Sequence, residues 1–177
     1  YKAGRKPTAP ELIPQFDLVR QCLEQMGIRI LTCPTFEADD ILGTFARRCE
    51  EAGIPALLVT GDRDSMQLVT KTSNVLYTRR GVSDVVRYTP EKVLEDFGVT
   101  PAQIPDLKGL MGDASDNIPG VPGIGEKTAI KLLSAYGTLE NALDHAEADL
   151  KGKQREKMID GRMSGLMSKK IATITRY

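Results

Sequence analysis

The sequence predicts an α/β domain over residues 1–96 followed by an all-helical domain over residues 97–177. Three observations carry this. Strand-like and helix-like apolar patterns alternate in the first half, no convincing strand follows Thr89, and a Gly- and Pro-rich loop over residues 112–125 separates helical patterns in the second half.

Over residues 10–27, Leu12, Ile13, Phe16, Val19, Leu23 and Met26 recur at three- and four-residue steps, the spacing of an amphipathic helix that Gly27 closes. Residues 28–33 read as a short strand. After Pro34, a second helix runs through Ala38, Ile41, Leu42, Phe45 and Ala46 and ends near Gly53. The apolar run 56–59 has the length of a buried parallel strand. Strand, helix and strand with short connections predict a right-handed crossover unit. Residues 74–78 and 82–88 resemble two further strands. Thr89-Pro90-Glu91 opens a helix that stops at Gly98, and Thr100-Pro101 opens another reaching Met111. Three or four helical patterns follow the loop.

The 177 residues are 41% hydrophobic and 27% charged, the composition of an ordinary soluble globular protein. No apolar run approaches the roughly 20 residues that span a bilayer, and no signal-like segment is present. Membrane and secretory readings are therefore set aside in favour of a cytoplasmic one. Cys22, Cys33 and Cys49 stand at wide spacings without a Cys-x-x-Cys pair, which fits reduced thiols with structural roles. The single histidine, His145, excludes His-Glu-x-x-His zinc sites and nucleophile systems built on several histidines. It lies in a polar stretch and reads as a solvated helix residue. Any catalysis then rests on carboxylates or a lysine.

Three acidic clusters stand out: Glu37-Ala38-Asp39-Asp40, Asp62-Arg63-Asp64 and Asp113-Ala114-Ser115-Asp116. The first opens a helix and the second leaves the carboxyl end of a strand, the edge on which α/β sheets place their sites. The third precedes the Gly-rich turn and needs only to fold back over that edge. Each also has a plain structural reading, as helix-dipole complement, turn dipeptide or helix cap. Seven carboxylates converging on one edge would repel unless neutralised, and hard divalent cations are the natural counter-charge. Two such ions would activate a water and stabilise the leaving oxygen in phosphodiester cleavage.

The segment Pro119-Gly120-Val121-Pro122-Gly123-Ile124-Gly125-Glu126-Lys127-Thr128 has two glycines at phosphate-loop spacing, but Glu126 stands where that loop requires lysine. It reads better as a hairpin whose bare backbone approaches a DNA strand, with the following helix start facing a phosphate and Lys127 and Lys131 extending the contact. A plain turn is the alternative.

Phe36-Glu37-Ala38-Asp39-Asp40, the run from Thr60 to Leu68, and the run from Gly112 to Ala129 together resemble the motifs of the 5′-3′ exonuclease domain of bacterial DNA polymerase I, within the wider flap endonuclease family. The resemblance covers essentially the whole chain in order. It implies a PIN-like α/β sheet with flanking helices followed by a helix-three-turn-helix domain, and a structure-specific 5′-3′ exonuclease or 5′-flap endonuclease using two Mg²⁺ or Mn²⁺ ions. Carried over by position, Glu37, Asp39 and Asp40 would serve one metal and Asp62, Asp64, Asp113 and Asp116 the second, with Asp39, Asp40, Asp62 and Asp64 central to catalysis. Gly120, Gly123, Ile124, Gly125, Lys127, Thr128 and Lys131 would contact DNA, and Val121 and Ile124 would offer carbonyls to a K⁺ ion. Tyr1 and Lys2 match the start of a Tyr-Lys segment at the base of a helical arch, where the tyrosine stacks on a base and the lysine, a catalytic residue, meets the scissile phosphate; Arg5 joins that surface.

The family pattern has an N-terminal strand and two further metal-binding aspartates ahead of Tyr1, so the 177 residues are expected to have little or no nuclease activity alone. Expected partners are flapped, nicked or gapped DNA and a covalently linked polymerase domain. The expected state is a monomer, in the bacterial cytoplasm at the nucleoid. The competing classes are a non-catalytic DNA-binding module and a PIN-type ribonuclease. The net charge of zero conceals an asymmetry: residues 37–64 are rich in acids, whereas residues 150–177 hold eight Lys or Arg against Glu156 and Asp160. The neutrality is a sum of opposites.

Overall fold

The computed structural model describes residues 7–81 and 83–177. Helix α1 (Ile13–Gln25) and helix α2 (Ala38–Glu51) precede strand β1 (Ala56–Thr60), and a 3-10 helix over Arg63–Leu68 leads to strands β2 (Ser73–Arg80) and β3 (Asp84–Tyr88). β1 pairs in parallel with β2, and β2 pairs antiparallel with β3, so the sheet order follows the chain. The crossover thus joins β1 to β2 through a short 3-10 turn.

Two expectations need correction here. Residues 28–33 form no strand, because among the described residues nothing pairs with the outer edge of β1, and an extended segment without a neighbour cannot bond its backbone polar groups laterally. β1 is also buried on one face only: Leu58 enters the core, whereas Leu57 and Val59 are 52% and 60% exposed. Likewise α1 has the expected amphipathic spacing, yet none of its residues is buried.

From Thr89 onward the chain is helical. Thr89 accepts from the Lys92 backbone N–H to cap α3 (Pro90–Phe97), and Gly98 closes it in the left-handed region. Thr100 and Gln103 form a capping box ahead of α4 (Ile104–Met111). Helices α5 (Glu126–Tyr136), α6 (Leu139–Asp144), α7 (Ala146–Asp149), α8 (Gly152–Asp160) and α9 (Arg162–Ala172) follow, one more than the sequence pattern suggested.

One continuous apolar core joins the two halves, running from Leu58, Met66, Leu68 and Val75 through Val93 and Val99 to Leu110, Leu133, Leu139 and Met158. Each such side chain contributes roughly 2 kcal/mol on burial. α4 lies against α9 at glycine contacts: a Cβ on Gly109 would come within 3.2 Å of the Gly165 carbonyl. After α9 the last residues return to the α/β half. Gln67, buried in the 3-10 helix, donates to the Ala172 carbonyl and accepts from Ile174 N–H. Arg176 donates to the Gln67 carbonyl.

No helix among the described residues is long and apolar enough to cross a membrane. All three cysteines are free, with Cys22 and Cys33 exposed. His145 lies between α6 and α7, exposed, its ring stacked on Tyr136 at 5.7 Å.

Candidate metal centre and nucleic-acid interface

The second acidic cluster forms where β1 ends. Asp62 N–H donates to the Thr60 hydroxyl, and the Asp62 carboxylate accepts from Asp64 N–H at 2.9 Å, capping the 3-10 helix that carries Asp64. The third cluster forms where α4 ends. Gly112, at φ 74°, turns the chain so that Asp113 and Ile118 exchange backbone hydrogen bonds of 2.8 Å each, closing a tight loop around residues 114–117. Inside it, Ser115 donates to Asp113 Oδ1 from both its N–H and its hydroxyl.

Lys108 brings the two clusters together. Its ammonium, on α4, donates to Asp64 Oδ1 and to Asp113 Oδ2, the latter at 2.7 Å. Burial pushes the Asp64 carboxyl above the ordinary range against the pull of Lys108, and the charges of Asp62 and Asp116 push the same way. Burial also works against ionisation of Asp113, but the Lys108 ammonium and the Ser115 bonds outweigh it and hold its carboxyl down to about 2. Burial lowers Lys108, and its two carboxylate partners more than restore it. Asp116 is 5% exposed.

The first cluster is organised differently. Glu37 and Asp40 form a capping box at the start of α2, with Glu37 N–H donating to Asp40 Oδ2 at 3.0 Å. The other oxygen of Asp40 accepts from Thr175 N–H at 2.9 Å. Both Asp40 oxygens therefore serve the backbone, one within the helix cap and one in the C-terminal tail. Asp39 lies in the first turn of the same helix. Among the described residues, no three carboxylates, histidines or cysteines are gathered around one point.

The glycine hairpin is held from behind by α9. Gly120 N–H donates to the Ser168 hydroxyl at 2.9 Å, the Ser164 hydroxyl donates to the Gly120 carbonyl at 2.6 Å, and Val121 N–H donates to the Leu110 carbonyl. The side chains of Val121 and Ile124 are buried, and the Val121 carbonyl accepts from Ile124 N–H. The Gly123 carbonyl accepts from Lys157 Nζ at 2.9 Å. Gly123, Gly125, Lys127 and Lys131 are exposed and Thr128 half-buried, around the start of α5. The positive end of that helix and two lysines a turn apart suit an anion. Tyr1, Lys2 and Arg5 lie outside the described residues.

Sequence reasoning missed Lys108, Gln67 and the two serines of α9. Lys108 carried a signal: it is the lone cation in a helix that buries six of its eight residues. Such a lysine needs anionic partners. Gln67 and the serines carried none, because their partners are backbone groups distant in the chain.

Residues 1–98 match the family model described as 5′-3′ exonuclease, N-terminal resolvase-like domain, and residues 99–177 match that described as 5′-3′ exonuclease, C-terminal SAM fold. A DNA polymerase I of Bacillus caldotenax is 50% identical over 177 residues, covering 99% of this chain and 20% of that protein. The chain thus spans about a fifth of the length of the curated relatives it matches. Among solved structures, T5 5′-exonuclease with bound zinc aligns at TM-score 0.76 with 23% identity, over 97% of this chain and 63% of that one. A bacteriophage T5 flap endonuclease in a pseudo-enzyme-product complex with DNA and metal ions aligns at 0.76 with 22% identity, over 96% and 62%. At these identities the structures speak for the fold.

Proposed function

The chain belongs to the 5′-3′ exonuclease family, and on that premise we propose that it forms most of a nuclease unit cleaving DNA phosphodiester bonds at 5′ flaps and nicked strands. The carrying observation is the contact of Lys108 with Asp64 and Asp113. Carboxylates from the end of β1 and the end of α4, 49 positions apart in the chain (113 − 64), share one buried cation. Their donors are all oxygen, which suits hard divalent ions, and the ammonium holds the place of a cation between them. Asp62, Asp64, Asp113 and Asp116 would hold one ion, and Glu37, Asp39 and Asp40 would serve a second, although Glu37 and Asp40 also cap α2. Bound Mg²⁺ or Mn²⁺ supplies a nucleophile at neutral pH and stabilises the leaving oxygen. In this reading Tyr1, Lys2 and Arg5, outside the described residues, would serve the strand being cut.

The hairpin of Gly120, Gly123, Ile124 and Gly125, with Lys127, Thr128 and Lys131, holds the duplex backbone, and Val121 and Ile124 direct carbonyls to K⁺. Residues 1–96 act as the PIN-like nuclease domain and residues 97–177 as the helix-three-turn-helix domain. The length of the relatives supports a linked polymerase domain in the whole protein, which we read as a cytoplasmic monomer at the nucleoid. The edge of β1 left unpaired among the described residues supports a further strand beside it, and its bare face at Leu57 and Val59 supports a further element packed over it.

Labelled 5′-flap duplexes in Mg²⁺ test the reading. A chain extended N-terminally along its longer relatives should cleave DNA flaps in preference to matched RNA flaps, and lose cleavage when Asp64 and Asp113 become Asn. The 177 residues alone should turn over little. Equal turnover by both chains contradicts the incompleteness, and no turnover by the extended chain contradicts the nuclease reading.

A further inference from the structure

Beside the carboxylates a crevice of about 620 Å³ runs between the β2–β3 face and α4. Its first wall is aromatic. Tyr88 and Phe97 of α3 line it and meet edge to face at 6.0 Å, and Tyr77, outside the lining, meets Tyr88 at 6.1 Å. The second wall holds Lys108, Met111, Gly112 and Asp113, so the crevice opens onto the metal-cluster residues themselves.

Two arginines lie on the aromatic wall. Arg63, between Asp62 and Asp64 in sequence, sets its guanidinium 6.0 Å from the ring centroids of both Tyr77 and Phe97. Arg79 lines the crevice together with Tyr88. Among the described residues neither arginine has a carboxylate within ion-pair distance, whereas the acids of the crevice are largely spent. Asp96 pairs with Lys92 at 2.8 Å and accepts from Tyr88, and Asp113 holds Lys108. Glu126, at the start of α5, is the remaining carboxylate. The lining balances three cations against three carboxylates, and with Asp96 and Asp113 engaged by lysines the groups left without an ion-pair partner among the described residues are Glu126 and two guanidiniums, planar donors suited to a phosphate. The cation–π approach of Arg63 to the two rings uses none of its donors.

We propose that this crevice binds a DNA phosphate next to the one being cut, with Arg63 and Arg79 as its clamp. The proposal rests on the nuclease reading of the adjoining carboxylates. The group has two candidate sources, an internal phosphodiester and the 5′-terminal monophosphate.

The test is fluorescence anisotropy of nicked and 5′-flap duplexes in Ca²⁺, each with a 5′-phosphate or a 5′-hydroxyl, across a salt series. R63M keeps the stem on the rings and R79Q keeps a donor. The double variant should weaken binding about tenfold and flatten the log affinity against log salt slope by about two. R63K should recover about half of the lost slope, which a purely structural role would not produce. Loss confined to 5′-phosphorylated duplexes assigns the terminal phosphate, and equal loss assigns the internal one; both support the clamp. If R63M fails to fold, exposed R79Q decides alone, with a slope change of about one expected. Unaltered affinity and slope in variants of a protein that binds the duplex overturn the clamp and leave the nuclease reading standing. A wild-type protein that binds none of the duplexes overturns both.

Discussion

The Lys108 ammonium donates to the Asp113 carboxylate at 2.7 Å from within a helix otherwise given to the core. The side chains of both are four-fifths or more buried, and Asp64 shares the same ammonium. Removing one partner from such a group leaves uncompensated charge, which costs about 3 kcal/mol. Lys108→Met should therefore lose about that much stability in urea unfolding with EDTA present. Millimolar Mg²⁺ should return part of the loss, since a divalent ion restores the missing charge. A deficit indifferent to Mg²⁺ would speak for a role in packing only.

Lys169 should set the pH range of stability in the helical half. It donates to Asp106, 4% exposed, and to Glu140. Burial raises the Glu140 carboxyl, but the Lys169 bond outweighs it and leaves Glu140 below its ordinary range; burial lowers Lys169, but Asp106 and Glu140 leave it above. A depressed acid stabilises above its unfolded pKa, roughly 4.3 for Glu, and loses that contribution as pH falls through its folded value. A raised lysine stabilises below roughly 10.4 and loses its contribution as pH rises through its folded value. Lys169→Met should lower stability at pH 7 by about 3 kcal/mol. Melting curves from pH 2 to 11 should also show flatter flanks than wild type.

Gln67 ties the return of the chain to the α/β half through two buried hydrogen bonds of 3.0 and 2.9 Å. Gln67→Leu leaves the Ala172 carbonyl and Ile174 N–H without those partners, at about 2 to 3 kcal/mol. Hydrogen exchange should show residues 174–177 losing protection while the α4 amides keep theirs. Unchanged protection in the tail would mean that Asp40 and Arg176 suffice to hold it.

Two glycines of the hairpin region should respond to alanine with very different losses. Gly120 stands at φ 64°, and a Cβ there would lie 2.2 Å from the Gly112 nitrogen, a contact that only backbone movement relieves. Gly125 has an ordinary φ of −94°, and a methyl group there would meet no atom within 4 Å. Gly120→Ala should cost more than about 3 kcal/mol, and Gly125→Ala no more than about 1, the scale of a helix-cap change. Similar melting temperatures for the two would contradict this geometry.

Local signals carried much of the fold. The caps at Thr89 and Thr100 and the stop at Gly98 depend on residues within a few positions, so propensity and spacing expose them. The apolar run 56–59 was legible as a strand, but its burial was not, because burial depends on what lies against β1 rather than on β1 itself. Residues 28–33 failed for the same reason: a strand is a property of a pair. In the site, the carboxylates were legible as clusters. Their partners were not. Asp40 meets Thr175, 135 positions away, and Asp64 meets Lys108, 44 positions away, and no local pattern encodes either contact.

The central claim is that Asp64 and Asp113 hold divalent metal. Calorimetric titration of Mn²⁺ into the 177-residue chain tests it most directly, because it requires no cleavage and no DNA. Wild type should bind saturably, and a folded Asp64→Asn, Asp113→Asn double variant should lose that binding. Undiminished binding by that variant, or none by wild type, would contradict it.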